Sequence, residues 1–226
     1  MSTTKLEEIR CPCGEVFEAE LHNAINSVDD PELKKALISG EINVVCCPKC
    51  NQIFYAEHFV LYHDPGSELI AFVYPTSFSA DEKYWRDRMS EDFKKALAAL
   101  PDNAITYHPI ILFGLDSLVG IIREEEEIDD EICVLEYWAE NLGLNILHIR
   151  PSIARDKKLP RCIPFAPGHS QRAGIIAGLN KILSHNSSLQ WFEKLLKIVE
   201  HHKDWRIDEK ALSKKPARGA AQKTIK

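Results

Sequence analysis

Two cysteine pairs most constrain this chain: Cys11-Pro12-Cys13-Gly14 near the start, and Cys47-Pro48-Lys49-Cys50-Asn51 further on. Each pair sits on a short turn. Proline pre-sets φ within the turn, and the glycine or asparagine after the second cysteine tolerates positive φ, letting backbone N–H groups point at the sulfurs. Two such turns brought together supply four soft ligands, the donor set that holds a tetrahedral zinc ion with Zn–S of about 2.3 Å. Cys11, Cys13, Cys47 and Cys50 are therefore the candidate metal ligands. Four thiolates close the coordination shell, so the zinc is expected to be structural rather than catalytic. The first pair has one residue between its cysteines instead of two, which gives it a different bite. Cys46, beside Cys47, is an alternative ligand, or else a small buried apolar residue ending a strand. The competing readings of the whole set are reduced structural thiols and a redox Cys-x-x-Cys. The second pair does not open a helix after a strand, the context a redox motif needs.

The chain has 226 residues, seven of them cysteines, an odd number spaced unlike a disulfide framework. Residues 1–10 are polar and of mixed charge, with no apolar core of a secretory signal. The longest apolar stretch, residues 109–122, is broken by Asp116 and is too short to span a membrane. A cytoplasmic protein that does not enter membranes is expected. The net charge of −6 excludes a generally basic nucleic-acid binder.

Periodicity outlines an α+β fold: a zinc-ribbon-like antiparallel sheet with an inserted helix, followed by a helical segment and a helical C-terminal region. Residues 16–22 alternate as a half-buried strand. Asp30, Pro31 and Ser39-Gly40 mark the inserted helix, with Leu33, Ala36 and Leu37 on its inner face. Strands follow at 42–46 and 52–61, a turn at 63–66, and a strand apolar on both sides at 69–74. A capping box at Ser79–Glu82 opens a helix that carries Trp85, Met89, Phe93, Ala96, Leu97 and Leu100 and stops before Pro101. Leu115, Leu118, Val119 and Ile122 form a second helix; Ile128, Ile132, Leu135, Ala139 and Leu142 form a third. Between them, residues 124–131 hold seven acids in eight positions, and such a run is expected to face water. Residues 145–149 read as a strand, 150–167 as a connection, and 170–183 as a helix. A capping box at Ser187–Gln190 precedes an amphipathic stripe of Leu189, Phe192, Leu195, Leu196 and Val199. The domains follow as 1–142, a ribbon domain with helices; 143–212, a mostly helical region; and 213–226, a disordered basic tail with five basic residues and no acid.

These motifs carry a resemblance. The chain resembles the CpXC family of bacterial and archaeal proteins over residues 9–142. The likeness rests on Cys11-Pro12-Cys13-Gly14, Pro31-Glu32-Leu33, Gly40, Asn43, Cys47-Pro48-Lys49-Cys50, Leu61-Tyr62-His63-Asp64 and Gly114-Leu115-Asp116-Ser117-Leu118. It implies a prokaryotic metal-binding domain and supplies no reaction.

Other polar groups offer candidate chemistry. Tyr62, His63 and Asp64 could form an acid–base site, though Asp-Pro-Gly is also ordinary turn chemistry. His169-Ser170 lacks a nucleophile elbow, and Ser170 suits a helix N-cap. His201-His202 suits a helix C-terminus. Cys133 and Cys162 stand alone in sequence and read as inert. The expectation is a non-enzymatic interaction module with a protein partner. An enzyme centred on Tyr62, His63 and Asp64 is the first alternative. A regulatory or nucleic-acid adaptor using the ribbon and the basic tail is the second, with weak, salt-sensitive binding.

Overall fold

A computed structural model describes residues 2–98 and 105–213. The chain divides into two compact units, Met1–Glu126 and Glu127–Lys226. The division falls inside a helix rather than near residue 142. Residues 214–226 of the basic tail lie outside the described residues, as do Leu100 and Pro101.

The first unit opens with a hairpin, β1 (Thr3–Arg10) and β2 (Val16–Asn26), joined across the Cys11–Gly14 turn. Helix α1 (Pro31–Ile38) follows, with proline in its first turn. Asp30 holds the N-cap position without the expected side-chain cap. Its Oδ2 accepts from the Ser2 amide at 3.3 Å instead. The expected strand at 52–61 divides into β4 (Ile53–Tyr55), paired with β3 (Val44–Cys46) in a separate ribbon, and β5 (Val60–Asp64) in the main sheet. β5 pairs antiparallel with β6 (Leu69–Tyr74), which is buried along its whole length. A 3-10 turn at Thr76–Asp81 runs directly into α2 (Glu82–Ala98), so Ser79 lies within that turn rather than capping the helix.

The main sheet has the order β1-β2-β5-β6-β7, with β7 at Ile110–Phe113. It is mixed rather than wholly antiparallel, because β2–β5 and β6–β7 run parallel. Parallel neighbours need long crossovers. The first is the segment holding α1 and the β3–β4 ribbon; the second holds α2. Two apolar layers flank the sheet. Ile25, Leu37, Val60, Tyr62, Val73, Leu118 and Ile122 form one. The other, built from Ile70, Phe72, Tyr74, Met89 and Phe93, is rich in aromatic contacts, including Trp85 stacked on Phe78 at 4.4 Å.

The two helices expected at 115–142 are one, α3 (Leu115–Asn141), and the acidic run does not interrupt it. Glutamate is a good helix former, so a like-charge run can continue a helix anchored at both ends by apolar contacts. Six of the seven acids face solvent or its edge; Glu125 is buried, at 6% exposure, contrary to the expectation for the run.

In the second unit β8 (Asn145–His148) pairs antiparallel with β9 (Cys162–Phe165). The segment 150–167, expected to be a plain connection, contains α4 (Pro151–Lys157) as well as β9. Pro151 occupies the first helical turn, where its missing N–H costs nothing. Helix α5 (Gln171–His185) starts after Ser170, and α6 (Gln190–His201) follows with Leu189 at its N-cap, not Ser187. The stripe of α6 buries Phe192, Leu195 and Val199 in a core shared with Ile163, Ile175, Leu179 and Ile182.

Candidate metal centre

Two turns converge at the end of the first hairpin and the end of the β3–β4 ribbon. In the first, the Gly14 N–H donates to Cys11 O at 2.8 Å and the Cys11 N–H to Glu15 O at 2.8 Å. In the second, the Asn51 N–H donates to Cys47 O and the Cys47 N–H to Gln52 O, both at 2.9 Å. The two turns thus repeat one hydrogen-bond pattern. Gly14 has φ +91° and Asn51 φ +58°, the left-handed conformation their residue types permit. Across the turns, Lys49 Nζ pairs with Glu15 Oε2 at 2.9 Å.

The four sulfurs of Cys11, Cys13, Cys47 and Cys50 lie within 4.8 Å of one another. Cys11 Sγ is 3.6 Å from Cys50 Sγ, and Cys13 Sγ is 3.8 Å from Cys47 Sγ. A tetrahedral ion with Zn–S near 2.3 Å has S···S edges of about 3.8 Å, and these two edges match it. All seven cysteines are free thiols. Cys46 ends β3 outside the cluster but is exposed rather than buried, because it shares the outward face of the β3–β4 ribbon, and its thiol is directed at Cys47 O. The short Cys11-Pro12-Cys13 spacing therefore still delivers both sulfurs. Cys11 and Cys47 are buried; Cys13 and Cys50 face solvent.

Electrostatics divide the four. Burial pushes the Cys11 thiol up to about 12. At Cys47 burial also opposes ionisation, but the N–H groups of Cys50 and Lys49 aimed at its sulfur outweigh it and bring the group down to about 7. Four sulfurs this close cannot all ionise without a cation between them, because like charges at such separations repel strongly. Four such cysteines can bind a metal ion, and binding would release protons.

A family model described as "CpXC protein" matches residues 9–136. The chain belongs to the CpXC family. The CpXC match covers both cysteine turns, strands β2 to β7 and most of α3. No curated protein and no solved structure gives a significant match.

The other candidate residues fall elsewhere. Tyr62 is fully buried, and its OH donates to Asp64 Oδ2 at 3.4 Å. Asp64 Oδ1 accepts from the Gly66 and Ser67 amides, the turn role foreseen for it, and Lys34 Nζ lies 3.7 Å from Asp64 Oδ2. His63 Nε2 meets the Tyr107 hydroxyl at 2.8 Å, and burial lowers its pKa. The three neighbours therefore divide between core and turn. His169 and Ser170 are exposed, and His201 Nδ1 bonds to Lys197 O within its own helix.

One association escaped the sequence. Cys162, far from His148 in the chain, lies against its imidazole at 3.3 Å. The β8–β9 register is the signal that would have found it, and β9 was not foreseen.

Proposed function

We propose that the N-terminal unit is a zinc-binding interaction module, in which Cys11, Cys13, Cys47 and Cys50 hold a structural zinc ion. The observation that carries this reading is the convergence of four sulfurs within 4.8 Å, two of their pairs at tetrahedral-edge distances, on two turns of matching hydrogen-bond pattern. Bound there, zinc would staple the β1–β2 hairpin to the β3–β4 ribbon and would have no open position for a substrate.

A protein partner suits the surface beside the centre. Val44, Cys46, Ile53 and Tyr55 occupy one face of the β3–β4 ribbon, and all are exposed, Ile53 by 70%. Apolar side chains gathered on one exposed face mark interaction surfaces more often than scattered ones do. Seven free thiols suit a reducing compartment such as the cytoplasm.

Metal analysis of protein purified without chelator tests the reading. About one zinc per chain is expected, lost in both Cys11→Ser and Cys50→Ser. Zinc retained by Cys11→Ser would overturn the four-cysteine set, and its absence from reduced wild-type protein would overturn the centre. Substitution with cobalt(II) tests the closed shell. Tetrahedral tetrathiolate spectra that do not change on adding cyanide or imidazole are expected; a shift would show an open position and favour an enzyme.

A further inference from the structure

Two strands of the C-terminal unit place a thiol beside an imidazole. His148 and Cys162 are paired residues at the end of the β8–β9 ladder, so their side chains share one face of the ribbon. Cys162 Sγ lies 3.3 Å from His148 Nδ1. At the other side of the ring, His148 Nε2 lies 3.3 Å from Glu136 Oε1 on α3. A carboxylate at Nε2 favours the tautomer that carries its proton there, which leaves Nδ1 as the acceptor for the thiol proton. Nucleophile, base and the group that orients the base stand in the order of an activated thiol.

Access decides what such a thiol can meet. Cys162 is 2% exposed, and the side chains it is linked to, His148 and Glu136, are 11% and 27% exposed. Peptide and acyl substrates need an open cleft; a small, uncharged electrophile the size of water does not. Burial holds the Cys162 thiol protonated, up at about 12, so its reaction needs a base. Arg161 favours the ionised thiol, while Glu136, Asp129 and Cys133 oppose it; Arg161 Nη1 is itself 3.3 Å from Asp129 Oδ1.

We propose that Cys162 is a peroxide-reactive cysteine, with His148 as its base and Glu136 as a positioning residue. His148 Nδ1 takes the Sγ proton as the sulfur attacks one oxygen of hydrogen peroxide. The S–O bond forms while the O–O bond breaks. The leaving hydroxide takes the proton from the imidazolium, giving Cys162 sulfenic acid and one water. Sulfur loses two electrons and the peroxide gains them.

The test treats the full chain with limiting hydrogen peroxide, traps sulfenic acids with a dimedone-type probe, and reads each cysteine peptide by mass spectrometry. Cys162 is expected to label about tenfold faster than Cys133, an exposed cysteine of the same unit, despite its burial. His148→Gln is expected to slow Cys162 by about a hundredfold. Glu136→Gln should slow it by about tenfold at unchanged Tm, with Glu136→Asp recovering most of the rate. Slower labelling of Cys162 than of Cys133, or labelling only after denaturation, overturns the proposal. So does a rate indifferent to both His148→Gln and Glu136→Gln, and the latter decides if His148→Gln does not fold. Faster reaction with a bulky acylating reagent than with peroxide would overturn the small-oxidant assignment.

Discussion

At Gly14 and Asn51 the backbone enters the left-handed region as it leaves each cysteine turn, and the N–H groups of these two residues close the turns on Cys11 O and Cys47 O. A Cβ built at Gly14 would meet no atom within 4 Å, so Gly14→Ala isolates the backbone cost of positive φ. A loss of about 1–2 kcal/mol in unfolding free energy is expected, read by denaturant unfolding of the metal-loaded protein. Cys46→Ser, beside Cys47 but outside the sulfur cluster, is expected to leave the metal stoichiometry unchanged. The pairs were legible in sequence because Pro, Gly and Asn declare the turn chemistry locally. That Cys46 stands aside was not, since it depends on which face of β3 each residue takes. His63 makes a separate statement at this scale. Burial lowers its folded pKa below the value near 6.5 of the unfolded chain. The unfolded state therefore takes up a proton first as pH falls, and stability is lost from about pH 6.5 down to the folded pKa. In His63→Gln the slope of unfolding free energy against pH in that window is expected to be shallower than in wild type.

Elements with a clean apolar period were foreseen, and those built by tertiary pairing were not. Strand β6 and the stripe of α6 declare themselves by composition and spacing. Strand β1 does not: Thr3–Arg10 is largely exposed, and its hydrogen bonds to β2, rather than an apolar face, define it. Strand β9 hides in a Pro-rich, basic stretch, yet Cys162, Ile163 and Pro164 are buried. The two glycines of α5 explain how closely that stretch packs. A Cβ at Gly178 would approach Pro164 O to 2.5 Å, and one at Gly174 would approach the Phe165 ring to 2.3 Å. Gly178→Ala is therefore expected to destabilise by about 1–3 kcal/mol through overpacking against backbone. Gly120, exposed on α3 with nothing within 4 Å of a built Cβ, gives the opposite sign. Gly120→Ala is expected to stabilise by about 0.5–1 kcal/mol, because alanine loses less chain entropy in a helix. Thermal melts of the two variants beside wild type check both signs.

Each unit carries its own apolar core. The two layers around the main sheet draw only on residues up to Phe113, Ile121 and Ile122, and the core of the second unit begins at Leu135. Between them α3 carries the acidic run, where few apolar side chains are available to either core. No helix among the described residues is long and apolar enough to cross a membrane. The sulfur cluster ties together two segments that the sheet hydrogen bonds do not join directly, since the β3–β4 ribbon forms a sheet of its own. Two strands alone are marginal in water, so the ribbon depends on Phe17 against Phe54 and on whatever the four cysteines hold. Removing the metal should therefore act locally before it acts globally. Hydrogen exchange on chelated protein is expected to show faster exchange at Cys47, Asn51 and the β3–β4 amides, with the amides of Ile175, Leu179 and Ile182 in α5 unchanged. Equal acceleration in both sets would mean that the ion supports the whole chain, and no acceleration at the ribbon would mean that it staples nothing.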